Sequence, residues 1–305
     1  MRFSGIFAVA LTISLFSCNK KEDKKPVISD LIDNLDFTKD AVFDSTNVPQ
    51  HLRKIVKDMS SLNVYETEEG GKGAIDTPLN FSNFRKLYKA ASEEELLTLT
   101  DNKNQAVSVY SAIALTEKNP QYLENVFQQF LNRNEIVHTQ NGCIYDNHKI
   151  AEPLYWSYFQ SVKNNIQSDE ILQNLDTQII FNSNSSDELL KNAFENRIYS
   201  GAYKKQIEDL AFRYHKIPAI IYLTDQHKRE YSVKLQKEYS QMLENENLFK
   251  GAKQRYLVKF LSFNNPENRD IILDYLKKDT IFSDQYPILF QLKNNGISPN
   301  EIPLK

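Results

Sequence analysis

The stretch from Ser92 to Leu131 constrains this chain most, because its apolar residues recur at helical spacing and must be covered by other helices. Ser92 followed three residues later by Glu95 forms a capping box: the hydroxyl accepts from the third helical N–H and the carboxylate reaches back to the cap N–H. A helix beginning there carries Leu96, Leu97 and Leu99. It ends at Asp101-Asn102-Lys103-Asn104, where the side chains compete for backbone hydrogen bonds. Ala106, Val109, Tyr110 and Ile113 follow at helical spacing, with Val107, Ala114 and Leu115 widening the stripe, and the whole stretch is expected to form two antiparallel helices joined at Asn119-Pro120. Asn119-Pro120 supplies a cap and a proline in the first turn, where the missing N–H costs nothing. The helix that follows places Tyr122, Leu123, Val126, Phe127, Phe130 and Leu131 on one face and Gln121, Glu124, Asn125, Gln128 and Gln129 on the other.

The run Glu94-Glu95-Leu96-Leu97, through Ala106 to Leu115 and on to Phe130-Leu131, resembles a HEAT-like repeat, a family in which helix pairs stack into a solenoid. The resemblance spans about forty residues, the length of one such repeat. Those repeats often carry an arginine early in a helix, and here Ser108 stands in its place. The fold expected is all-α, either an α-solenoid or an irregular HEAT-like helical array. With only 8 glycines in 305 residues, the chain has little of the tight-turn chemistry that sandwiches and phosphate-binding sheets require.

The start of the chain reads as an address. Arg2 and the apolar run Ile6 to Phe16 form a segment too short to span a bilayer, and residues 1–17 are set aside as a signal peptide. Leu15-Phe16-Ser17-Cys18 resembles the lipobox of bacterial lipoproteins, which implies acylation of Cys18 and an anchor in the membrane. Several acyl chains, at about 0.8 kcal/mol per buried CH₂, hold a protein there where one would not. The charged tether 18–26 contains Lys21-Glu22-Asp23, which resembles the signal that sends lipoproteins of Bacteroidetes-type bacteria to the outer face of the outer membrane. Location on the outer membrane follows as an expectation, with the cell surface and the periplasmic face both open.

Residues 27–305 are expected to form one helical repeat domain, with a possible break at the Asn-Ser-rich segment 182–186. Asn63 to Leu79 reads as a loop, and Gly70-Gly71-Lys72-Gly73 within it lacks the Ser or Thr that a phosphate-binding loop needs after its Gly-Lys. Glu135 to Lys149 reads as an irregular insertion holding His138, Cys143, Asp146 and His148. Their spacing provides no chelating pair of the kind zinc sites use, so no metal is expected. The net charge of −3, with 37 basic and 40 acidic residues mixed along the chain, contains no basic stripe for nucleic acid.

The chain has no nucleophile elbow, no His-Glu-x-x-His and no glycine-rich dinucleotide loop. These readings point to a non-enzymatic, cofactor-free, lipid-anchored envelope protein that acts as a helical scaffold for a protein partner, either an envelope complex or a toxin it neutralises. Its binding surface would be Gln121, Glu124, Asn125, Gln128 and Gln129, whose amides both donate and accept. The alternative is an envelope hydrolase or glycan-binding protein with its site at 135–152, next to Trp156, the only tryptophan.

Overall fold

A computed structural model describes residues 36–70, 77–142, 144–246, 248, 250–278 and 286–301. Among these residues the chain is all-α in class, with fourteen α-helices and one small sheet. The first helices are α1 (Arg53–Leu62), α2 (Leu79–Ala90), α3 (Glu93–Leu99), α4 (Gln105–Lys118) and α5 (Leu123–Arg133). The middle of the chain forms α6 (Ala151–Val162), α7 (Glu170–Phe181), α8 (Asp187–Asn196), α9 (Lys204–Phe212) and α10 (Ile217–His227). The last four are α11 (Ser232–Glu244), α12 (Lys250–Leu261), α13 (Arg269–Lys278) and α14 (Tyr286–Asn294). The signal-peptide, Cys18 and tether readings, and Cys143, lie outside the described residues.

The capping box forms as the sequence implies: Ser92 Oγ accepts from the Glu95 N–H at 3.3 Å, and Glu95 Oε2 accepts from the Ser92 N–H at 2.9 Å. Asn104 caps α4 by accepting from the Val107 N–H at 3.1 Å. Helix α4 is buried without interruption from Ala106 to Leu115 because α1, α2, α3, α5, α6 and the sheet all pack against it. Ser108, the residue that departs from the repeat pattern, donates to the Thr100 carbonyl at 2.5 Å. The guanidinium of Arg133, from the end of α5, reaches the same carbonyl at 2.6 Å and Ser108 Oγ at 3.3 Å. A cation therefore does stand beside Ser108, supplied from another helix.

Beyond α4 the helices pack in two interleaved series. In one, α4 meets α6, α6 meets α8 and α8 meets α10; in the other, α5 meets α7 and α7 meets α9. Further along, α11 meets α13 and α12 meets α14. The buried apolar side chains join in one cluster from Val48 to Ile297, which runs past the loop at 182–186. At that loop Ser185 Oγ donates to the Ile179 carbonyl, and Lys216 Nζ donates to the Ser185 carbonyl, each at 2.8 Å.

Two loop readings are corrected. The segment 63–79 contains strand β1 (Tyr65–Gly70), and the supposed insertion at 135–149 is a hairpin of β2 (Ile136–Gly142) and β3 (Ile144–Lys149). The sheet order is β1-β2-β3, with β1 parallel to β2 (Tyr65 opposite Thr139) and β2 antiparallel to β3 (Val137 opposite His148). Tyr110 of α4 anchors β1, its hydroxyl accepting from the Glu66 N–H at 2.7 Å and donating to the Glu66 carbonyl at 2.9 Å.

Candidate functional site

The predicted binding surface divides in the structure. Asn125, Gln128 and Gln129 are exposed on α5, and Gln121 is exposed in the short turn before it. Glu124 is half-buried and committed to the fold: its Oε1 accepts from Asn174 Nδ2 at 3.0 Å and its carbonyl from Gln178 Nε2 at 3.3 Å, both on α7. That carboxylate ties α5 to α7. Of the five residues, Gln128 borders the groove between these two helices.

The hairpin separates its histidines. Register places His138 opposite Asn147 and His148 opposite Val137, so the two imidazoles project from opposite faces of the sheet. His138 stacks on Phe37 (centroids 4.5 Å apart, 18° between planes), with Nδ1 2.6 Å from Asn147 Oδ1 and Nε2 2.9 Å from Asp40 Oδ2. These contacts fasten the segment before α1 to the sheet. His148 lies on the other face against α6, with Nδ1 2.6 Å from the buried Glu152 Oε2, Nε2 3.7 Å from Asp146, and its ring edge-on to Trp156 at 4.7 Å. Burial pulls the His148 pKa down, but the Glu152 hydrogen bond and the charges of Glu152 and Asp146 outweigh it, so the net shift is upward. Among the described residues no group of three or more His, Cys, Asp or Glu stands close enough to hold a metal ion.

A buried polar network lies where α6, α7 and α8 meet. Asp176, fully buried, accepts from the Tyr155 hydroxyl at 2.7 Å, from Arg197 Nε at 2.9 Å and from Asn196 Nδ2 at 3.3 Å. Asn196 Nδ2 also donates to the Tyr155 oxygen at 2.8 Å. Burial pushes the Asp176 carboxyl above the usual range, and its three donors pull it only part of the way back. Asp176, Tyr155 and Arg197 line none of the four cavities described here, and their hydrogen bonds tie the three helices together.

The feature best shaped for a macromolecule is a groove of about 540 Å³ over α8, α10 and α12. Helix α8 is started by Ser186, whose Oγ accepts from the Leu189 N–H at 3.3 Å. With Leu189, Leu190 and Ala193 buried, α8 turns Asp187, Lys191 and Glu195 outward along one line. Helix α10 opens with Pro218 in its first turn and offers Ile217, Ile221 and Tyr222 as a floor. Phe194 stacks on Tyr222 at 4.6 Å, and the Tyr222 hydroxyl, accepting from the Tyr199 N–H at 2.8 Å, is held in place. Helix α12 closes the groove with Arg255, Tyr256 and Lys259, and Lys259 Nζ lies 2.5 Å from Asp225 Oδ1 of α10. Burial raises the Tyr256 pKa, opposed by Arg255 and reinforced by Asp187.

The result is an apolar floor between unlike walls. Asp187, Glu188 and Glu195 make the α8 wall acidic despite Lys191, and Arg255 and Lys259, the latter paired with Asp225 of α10, make the α12 wall the more basic one. No serine, cysteine or histidine is among the residues that line this groove. The sequence pattern did not reveal it, because its residues come one turn at a time from three helices. On α8 the local signal was the exposed line of Asp187, Lys191 and Glu195 at i, i+4 and i+8. No protein-family model, curated protein or solved structure matches the chain.

Proposed function

We propose that this protein is a non-catalytic scaffold that holds a segment of a partner protein in the groove over α8, α10 and α12. The observation that carries this reading is the groove itself: an aromatic and aliphatic floor between an acidic and a basic wall. A partner segment with an apolar stripe, flanked by basic residues toward α8 and acidic residues toward α12, matches it in both shape and charge. The interleaved packing of successive helices supports a HEAT-like solenoid, in which stacked helices make such extended surfaces.

The same proposal places the protein on the outer membrane through acylated Cys18, on the strength of the lipobox-like sequence. No helix among the described residues is long and apolar enough to cross a membrane. The partner would be a component of an envelope complex or a toxin neutralised there. Charge reversal at Arg255 and Lys259 to Glu should weaken capture of the envelope partner at least tenfold while leaving the melting temperature within a few degrees. Equal capture by the reversed variant would reject the groove as the docking site.

A further inference from the structure

A second groove, between α5 and α7, differs in chemistry from every other cavity described here. It encloses about 440 Å³, within the range of small-molecule sites, and no charged side chain lines it. Its wall is Gln128, Leu131 and Asn132 from α5, Thr177 and Gln178 from α7, and Asn182 and Ser183 from the following loop. Phe181 closes one side and is 55% exposed, although a phenyl ring at the end of a helix is ordinarily covered. Two other cavities are lined by charged or titratable groups, Lys163 and Glu195 in one and His215 and Glu238 in the other.

The fold holds these groups in place. Asn182 Nδ2 donates to Asn132 Oδ1 at 3.2 Å and bridges the two helices. Thr177 Oγ1 lies 3.0 Å from the Tyr203 hydroxyl, and the Tyr203 ring supports Phe181 from behind with centroids 5.6 Å apart. Gln178 is tied by its Nε2 to the Glu124 carbonyl, while its Oε1 is buried without a hydrogen-bond partner. An unpaired buried acceptor is costly, and Gln178 is one of the residues that line the groove. Gln128, free of side-chain partners among the described residues, faces it from the other helix.

We infer that this groove binds a neutral oligosaccharide: a sugar ring lies on the Phe181 face while its hydroxyls pair with the amides of Gln128, Asn132, Gln178 and Asn182. Each part of the site has a counterpart in that ligand class. Sugar hydroxyls both donate and accept, as side-chain amides and hydroxyls do, and the C–H face of a pyranose suits an exposed aromatic ring. The lining offers no charged side chain to pair with a carboxylate, phosphate or ammonium on a ligand. The site is independent of the protein-docking groove, with which it shares no residue.

The test is isothermal titration of the full chain with a panel of neutral oligosaccharides, namely chitotetraose and the α-1,4- and β-1,4-linked glucose hexamers, with oligogalacturonate as the anionic control. At least one neutral sugar should bind with a Kd of about 1 mM or tighter, unchanged between low and 0.5 M NaCl because no ion pair forms. Phe181→Ala and Gln128→Ala should each weaken it at least tenfold, and both variants should fold, since both side chains are exposed. Arg255→Glu should leave sugar binding as it was, whatever its effect on a protein partner. The inference is overturned if no neutral sugar in the panel binds, if oligogalacturonate binds as well as the neutral sugars, or if both variants bind like the parent.

Discussion

Replacing Asp176 with Ala removes the acceptor at the centre of the α6–α7–α8 junction. The carboxylate is fully buried, and the Tyr155 hydroxyl and Arg197 Nε both donate to it. Without it two buried donors lose their partner, one of them on a cation whose Nη2 already has none. Each orphaned donor costs about 1–3 kcal/mol, and removing one member of a buried ion pair typically costs about 3–5 kcal/mol. A loss of about 3–5 kcal/mol is therefore expected, a large part of the roughly 5–15 kcal/mol that holds a typical domain folded. Urea unfolding followed by far-ultraviolet circular dichroism measures it. The paired replacement Asp176→Leu with Arg197→Met should recover most of the loss, because it removes the stranded charge along with its partner. A single-variant loss below about 1 kcal/mol, or a double variant no more stable than Asp176→Ala, would refute the reasoning.

Stability also depends on pH through His148. Its pKa is raised in the folded chain, so its contribution is fully present below the unfolded value near 6.5 and is lost as pH rises through the higher folded value. Urea unfolding at a series of pH values should show the parent losing stability relative to His148→Ala across that window, and parallel curves would contradict it. Trp156 emission should change over the same range, because the imidazole lies edge-on to the indole, and the change should vanish in His148→Ala. Glu124→Ala should cost about 0.5–1.5 kcal/mol in urea unfolding through the lost Asn174 hydrogen bond, whereas Asn125→Ala, on the same helix but exposed, should stay within about 0.5 kcal/mol. Cys18→Ala should move the protein from the membrane fraction to the soluble fraction, and an unmodified Cys18 in the parent, seen by mass spectrometry, would reject the lipid anchor.

The helices were legible where an apolar stripe met a cap. Val126, Phe127, Phe130 and Leu131 announced α5, and Ser92 with Glu95 marked the start of α3. The strands were not legible for a physical reason. Strand β1 reads Tyr-Glu-Thr-Glu-Glu-Gly and β2 reads Ile-Val-His-Thr-Gln-Asn-Gly, so although β2 buries the alternate residues Val137 and Thr139, neither carries the apolar-polar alternation in its sequence. Their pairing depends on a parallel partner more than sixty residues away in sequence. Glu124 looked like one more polar residue on a solvated face, because nothing local shows that Asn174 and Gln178 arrive from α7 to engage it. Asp176 hid in the same way: its companions Tyr155, Asn196 and Arg197 are assembled by packing. Both grooves are products of helix stacking, and of their linings only Gln128 had been singled out beforehand as a binding residue.

Site-specific photocrosslinking in the native envelope addresses the docking groove most directly. A benzophenone side chain placed at Ile221 sits on the groove floor, and one placed at Val233, 83% exposed on α11, samples solvent away from the groove. Ile221 should yield one discrete adduct, mapped by mass spectrometry to a protein segment with an apolar stripe between basic and acidic residues. The adduct should disappear with Arg255→Glu and Lys259→Glu and persist with Phe181→Ala. No adduct at Ile221, or the same adducts at Val233 as at Ile221, would contradict the proposal that this groove holds a protein partner.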